Sequence, residues 1–313
     1  MHIAIIGGSG FIGKKLCNLL RNNFIQFTVF DLVSNNEFKE NTKFFDITSD
    51  ESKLDGNFDA IINLAAVHRD DEKKEDYIKV NVEGAKKICS LASKKNINKI
   101  IFTSSVAVYG INIENADEDS PTKPFNNYGK SKLEAEKIYQ DWQSENPNLN
   151  TLVIIRPTVI FGEGNKGNVY NLINQIKSGF FLMVGNGSNK KSMAYVGNVS
   201  EYLFKSINLN GKIYIKNYVD KPDLKTRELV EVIKTKVSSP NSFNIRIPLY
   251  LGLFLGRLFD LISFLINRKL PISYIRIKKF TSNSVIETKN HPIEFKPSTN
   301  LKEGLLNVME NDF

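Results

Sequence analysis

Tyr128, Lys132 and Ser105 have the residue types and spacing for proton and hydride chemistry. Tyr128 and Lys132 form a YxxxK, and residues four apart share one face of a helix. A tyrosine at its ordinary pKa of about 10 is a poor base at neutral pH, and an ammonium beside it stabilises the phenolate. Lys130 lies two residues along, so it points away and is not the partner. Ser105 sits in Thr103-Ser104-Ser105-Val106-Ala107-Val108-Tyr109-Gly110, at the end of a β-branched strand pattern. In a doubly wound sheet the carboxyl ends of the strands face the ligand crevice. A serine there can hydrogen-bond a substrate oxygen while the tyrosine moves the proton.

The N-terminus carries a second constellation. Gly7-Gly8-Ser9-Gly10-Phe11-Ile12-Gly13 satisfies both GxGxxG and GxxGxxG. Glycines allow positive φ and close approach of the backbone to a pyrophosphate, whose charge then rests on the N–H groups opening a helix. Asp31 ends the next strand pattern, placed to accept hydrogen bonds from an adenosine ribose and to repel a 2′-phosphate. These features read as a dinucleotide site for NAD rather than NADP.

Such residues need a scaffold, and the patterning supplies one. Strands are expected at 3–6, 26–31, 42–45, 60–64, 99–103 and 152–155, with helices at 11–22, 72–95 and 127–145. That alternation predicts an α/β fold with a doubly wound parallel sheet, residues 1–165 forming the cofactor domain. Residues 166–313 are expected to form a smaller substrate-binding lobe that returns one or two strands to the main sheet. Within it, 247–267 is unusually apolar, but Arg257 and Asp260 interrupt it short of the ~20 apolar residues of a membrane span. At helical spacing Gly252, Gly256, Asp260, Ser263 and Asn267 share one narrow face, and Arg246, Arg268, Lys269, Arg276, Lys278 and Lys279 flank the segment. Two readings stay open: a helix buried against the lobe or a dimer partner, or 247–279 lying in a membrane interface where basic flanks meet anionic lipid.

Composition narrows the partners. The net charge is +8, but the lysines are scattered, which excludes a nucleic-acid footprint and leaves a solvated surface, an anionic substrate or an anionic membrane. Cys17 and Cys89 show no CxxC, and His2, His68 and His291 are the only histidines, so neither a disulfide framework nor a metal site is expected. The apolar run 2–6 is too short for a signal peptide, and a cytoplasmic setting is expected.

Taken together, these motifs make the chain resemble an extended short-chain dehydrogenase/reductase of the NAD-dependent sugar epimerase/dehydratase group, over nearly its full length. The resemblance implies a Rossmann domain with Ser105 and Tyr128 as catalytic hydroxyls and Lys132 as the catalytic lysine. Of the glycine loop, it implies cofactor contacts at Gly7, Gly10, Phe11, Ile12 and Gly13. Asp46-Ile47 matches the pair at adenine, Asn63-Leu64-Ala65-Ala66 the fourth-strand motif lining the cofactor, and Asn81 the asparagine that orders the site. Dehydratases of the group carry an acidic pair where Val106 and Ala107 stand, which argues against dehydration. The RxxNVYG pattern appears as Arg156-Pro157-Thr158-Val159-Ile160-Phe161-Gly162, with Pro157 and Val159 at the cofactor. The arginine that helps hold a sugar diphosphate is replaced by Lys191, a point charge without bidentate geometry.

The runs 65–70 and 167–171, the latter containing Asn168 as a substrate contact, resemble epimerases of surface-polysaccharide clusters, some acting on a sugar carried by polyprenyl diphosphate. The expected activity is thus 4-epimerisation of a diphosphate-linked hexose or N-acetylhexosamine by a homodimer. A 4-ketosugar reductase consuming NAD(P)H is the alternative. A binding-only module is disfavoured because Ser105, Tyr128 and Lys132 are all present.

Overall fold

The structure, a computed structural model, describes residues 1–313 apart from 35, 52, 70, 71, 180, 238–244, 267, 269, 271, 272, 290 and 291. Of the positions singled out above, Asp70, Asn267, Lys269 and His291 lie outside the described residues.

The chain opens with β1 (His2–Ile6), α1 (Phe11–Asn22), β2 (Gln26–Asp31) and β3 (Thr42–Phe44), then β4 (Ala60–Asn63). Next come α2 (Lys74–Tyr77), α3 (Gly84–Lys94), β5 (Lys99–Thr103), β6 (Ile113–Ala116), α4 (Asn127–Glu145) and β7 (Thr151–Pro157). A strand from beyond residue 165, β11 (Ile213–Tyr218), joins the same sheet. Its seven strands run in the order β11-β7-β5-β4-β1-β2-β3, every neighbouring pair parallel. Ile5, Ile61, Ile62, Ile100, Ile101 and Val153 are buried, as strands covered by helices on both faces require. From β1 the chain goes one way through β2 and β3 and the other way through β4, β5 and β7. That reversal opens a crevice between the carboxyl ends of β1 and β4.

The rest of the chain builds β8 (Val159–Phe161), α5 (Asn168–Lys177), β9 (Leu182–Val184), β10 (Lys190–Tyr195), α6 (Val196–Ser206) and β12 (Asp220–Lys225). It continues with α7 (Thr226–Val237), β13 (Ile245–Ile247), α8 (Leu249–Leu265), α9 (Tyr274–Thr281), β14 (Ser284–Ile286) and α10 (Leu301–Asp312). A small mixed sheet runs β12-β10-β14-β6, with β8 pairing β10, and β13 pairs β9 separately. Val199, Tyr202 and Leu203 of α6 share a core with Leu16, Cys17 and Leu20 of α1.

Two local features depart from expectation. The helix expected at 72–95 carries a π-helical turn over Ile78–Glu83 between α2 and α3. Such widened turns re-aim a side chain, and here the turn contains the buried Asn81. β6 forms in a stretch that carries no strand pattern of its own, because its partner is the distant β14.

The segment 247–279 narrows the choice left open by its sequence. Only Gly252 and Gly256 of α8 are buried. Tyr250, Phe254, Leu258, Leu261, Phe264 and Leu265 are exposed, and Leu253, Leu255 and Phe259 half-buried, so α8 is not buried against the lobe; a dimer partner and a membrane interface both stay open.

Candidate active site

α4 starts where it does because Asn126 caps it, its Oδ1 accepting from the Gly129 amide at 2.9 Å. Tyr128 therefore falls in the first turn and Lys132 one turn later, both against the end of β5. Ser105 follows β5 and opens a 3-10 turn over Val106–Tyr109, its Oγ accepting from the Ala107 amide at 3.1 Å. That bond leaves the Ser105 proton free to be donated, and Ser105 hydrogen-bonds the Tyr128 hydroxyl. The three residues picked out by spacing thus converge.

Their electrostatics differ from expectation. Burial pushes the Tyr128 hydroxyl up to about 12, with the Ser105 bond pulling the other way. Lys132 is buried, and its Nζ donates to the Thr103 carbonyl at 2.8 Å, 4.7 Å from the Phe102 ring centre and 5.9 Å from that of Tyr128. Burial brings Lys132 down to about 7, opposed by the Glu136 carboxylate. A tyrosine depressed by a neighbouring ammonium is therefore not what the protein's own groups create.

The crevice between β1 and β4 fits a dinucleotide. Gly7, at φ +77°, lies so close to Ala65 that a Cβ would stand 2.7 Å from its amide nitrogen. At Gly13 a Cβ would stand 2.4 Å from the Gly8 carbonyl oxygen, so α1 can begin against the loop only without a side chain there. Asp31 Oδ2 accepts from the Ser9 amide at 2.9 Å. Ser9, Gly10, Lys14, Asp31, Val33 and Asn36 line a hollow of about 450 Å³. Thr103 and Thr158 carry buried hydroxyl oxygens without a hydrogen-bond partner among the described residues, leaving bonding capacity at the strand ends. When bound, NAD supplies reversible hydride acceptance.

The remaining expected contacts are distributed around this crevice. Leu64, Ala65 and Ala66 are half-buried beyond β4, held by Ile6 O to the Leu64 amide at 2.9 Å and Asn63 Oδ1 to the Ala65 amide at 3.1 Å. Asp46 is held below the usual carboxylate range by hydrogen bonds from the Thr48 hydroxyl and amide, while Ile47 is buried against Gly84. Phe11 and Ile12 pack toward the core of the C-terminal lobe. Asn81 accepts from the Val67 amide at 2.9 Å and donates to the Val67 carbonyl at 3.0 Å and to Ser131 Oγ at 2.9 Å, tying the cofactor-lining loop to α4. Pro157 ends β7, and Val159 is exposed at the start of β8. Asn168 is exposed at the first position of α5.

Lys191 is already engaged. Its Nζ donates to the carbonyls of Lys279 and Ser282, at 2.7 and 2.6 Å, at the end of α9, and burial brings it down to about 8. The sign for stability follows. Below about pH 8 the ammonium is charged in both folded and unfolded chains, and the fold bears its full desolvation cost. As pH rises from about 8 toward the ordinary lysine value near 10.5 that cost disappears. Thermal melts should therefore show wild type gaining on Lys191→Met across that window.

Sequence reasoning missed the residues beneath the site. Glu136, fully buried, receives Arg156 in a bidentate pair at 2.9 and 2.6 Å and the Ser104 hydroxyl at 2.5 Å. Arg156 Nη1 donates to the Tyr109 hydroxyl at 2.8 Å, which donates to Asn217 Oδ1 at 2.8 Å. The available signal was the lone Arg156 directly after the apolar run Leu152–Ile155 and within the same strand, which demands a buried partner.

Residues 3–214 match the model of the NAD dependent epimerase/dehydratase family. The chain belongs to this family. A protein of Escherichia coli O157:H7 named N-acetyl-alpha-D-glucosaminyl-diphospho-ditrans,octacis-undecaprenol 4-epimerase is 40% identical over 320 residues, spanning 100% of this chain and 95% of that one. A sterol-4-alpha-carboxylate 3-dehydrogenase of Candida albicans is 32% identical over 222 residues, 64% of this chain and 62% of that one. Among solved structures, MoeE5 in complex with UDP-glucuronic acid and NAD superposes with a TM-score of 0.78 at 17% identity, covering 100% and 99% of the two chains. The extended dehydrogenase/reductase fold and the NAD cofactor of this family member are thereby shown.

Proposed function

We propose that this family member is an NAD-dependent 4-epimerase of an N-acetylhexosamine or hexose carried on polyprenyl diphosphate, serving surface-polysaccharide assembly. The observation that carries the reading is the full-length 40% identity to the undecaprenyl-diphosphate epimerase. In this reading Tyr128 takes the proton from the sugar's 4-hydroxyl, Ser105 holds the same oxygen, and Lys132, while it is protonated, supports the charge that develops. With NAD bound to accept the C4 hydride and return it, the 4-keto sugar would turn in the pocket and take the hydride back on its other face, so the cycle has no net redox change.

The protein works at the cytoplasmic face of the membrane, in peripheral contact through 247–279. No helix among the described residues is long and apolar enough to cross a bilayer. A homodimer belongs to the same reading. The hollow of about 320 Å³ beside α3 and α4 is lined by Lys86, Ser90, Ser93, Asp141 and Glu145, so a two-fold axis can set the lysine of one copy against the acids of the other. Light scattering at twice 35.5 kDa would bear this out, and a monomer would remove it.

The test is to offer polyprenyl-diphosphate N-acetylglucosamine dispersed in detergent, alongside UDP-N-acetylglucosamine, and to score C4 configuration. Inversion of the lipid-linked sugar without accumulation of NADH is expected. Stoichiometric consumption of NAD(P)H would instead establish a ketosugar reductase.

A further inference from the structure

α8 turns its small and polar side inward. A Cβ at Gly252 would stand 2.4 Å from Val184 Cγ1 of β9, and one at Gly256 would stand 2.8 Å from the Tyr274 Cα that opens α9. Asp260 Oδ2 accepts from the Tyr274 amide at 3.1 Å, and the Arg257 guanidinium lies 4.9 Å from the centre of the Tyr274 ring. These contacts fix which side of the helix remains outside. Tyr250, Phe254, Leu258, Leu261, Phe264 and Leu265 are on it, with Phe254 63%, Phe264 80% and Leu265 72% exposed. A helix facing water would carry charged and polar residues at those positions, and an exposed apolar patch rimmed by polar residues marks an interaction site.

The rim is basic. Arg246 and Arg268 stand beyond the two ends of α8, and Arg257, Arg276 and Lys278 are exposed on α8 and α9. Asp260 is the one acidic residue described between 245 and 282, and it already bonds Tyr274. A second copy of this face would therefore bring like charges together without acids to pair them, whereas an anionic lipid surface complements both the charge and the apolar strip.

We infer that α8 lies flat in an anionic bilayer surface, its outer face among the acyl chains and its arginines and lysines at the phosphate level. This deepens the proposed function, because it rests on that reading for its purpose: it would hold the substrate lobe where a lipid-linked sugar is met. It also connects to the site. Gly256 packs on α9, and the last turn of α9 receives the Lys191 ammonium, so two contacts separate the docked helix from the lysine expected at the diphosphate.

The experiment uses the full-length, NAD-loaded protein and vesicles free of any polyprenyl lipid. Binding is expected to vesicles of phosphatidylcholine with phosphatidylglycerol, weakened about tenfold or more by high salt and absent on phosphatidylcholine alone. The combined Phe254→Ser, Leu261→Ser and Phe264→Ser variant should bind at least about a hundredfold more weakly, because three outward apolar side chains are lost. Its NAD content and melting temperature should stay at wild-type values, since none of the three packs inside the lobe. A folded wild type that stays off anionic vesicles overturns the docking, as does a variant that binds them undiminished. So does a wild-type oligomer that the variant dissociates. If wild type inverts the detergent-dispersed lipid-linked sugar yet ignores vesicles, the docking alone fails. If it binds vesicles but leaves that sugar unchanged, the carrier assignment alone fails.

Discussion

Tyr128→Phe will lower turnover by about 10²–10⁴-fold, the usual worth of a positioned acid–base group, while NAD content and melting temperature stay near wild type. The phenylalanine ring keeps the packing, since the Tyr128 ring centre lies 6.5 Å from that of Tyr77 and 5.9 Å from Lys132 Nζ. Only the hydroxyl is lost, and that hydroxyl is what Ser105 touches. Burial holds it at about 12, so at neutral pH it is protonated and needs positive charge beside it to ionise. Lys132 gives little of that charge above about pH 7, where burial favours its neutral amine. Oxidised nicotinamide carries the further positive charge. The wild-type rate should therefore rise with pH, less steeply above about pH 7 where Lys132 sheds its charge, whereas the residual rate of the variant should not. A variant that keeps both the rate and its pH rise would remove Tyr128 from the chemistry.

Glu136→Ala will cost about 3–5 kcal/mol of folding stability, because it leaves the Arg156 guanidinium buried without its counter-charge. Glu136 is fully buried and Arg156 is 5% exposed, so neither can be rescued by water. The pair also joins three elements: Glu136 stands on α4 one turn after Lys132, Arg156 on β7, and Ser104 directly after β5 beside Ser105. Urea denaturation at neutral pH measures the loss. Glu83→Ala, which breaks the exposed Glu83–Lys86 pair, should leave the midpoint almost unmoved. Equal effects from the two variants would mean that the buried pair contributes nothing special.

The sequence made the reactive centre easier to read than its support. Glycines at 7, 10 and 13, Asp31, and the Tyr128–Lys132 spacing are local signals, set by a turn, a strand end and one helical repeat. They land together because a parallel sheet places strand ends on one edge. What escaped notice is long-range. Glu136 and Arg156 are 20 residues apart, and Asn217 is 108 from Tyr109, separations no periodicity encodes. β6 has a partner near residue 284 and therefore no hydrophobic run of its own. The outward face of α8 was ambiguous for another reason: apolar residues on a helix say that something covers them, and the pattern alone does not say whether protein or lipid does. The raised Tyr128 pKa follows from enclosure, which depends on how α4 closes over β5.

The return of β11 to the main sheet bears on how the molecule is made. Residues 213–218 pair along β7 over six positions, and α6 completes the core under α1. A nascent chain that has emerged only to residue 165 therefore has Ser105, Tyr128 and Lys132 but an uncovered β7 edge and an unfilled core. Folding of the cofactor half must wait for about fifty further residues to leave the ribosome, and until then that edge is open to pairing with other chains.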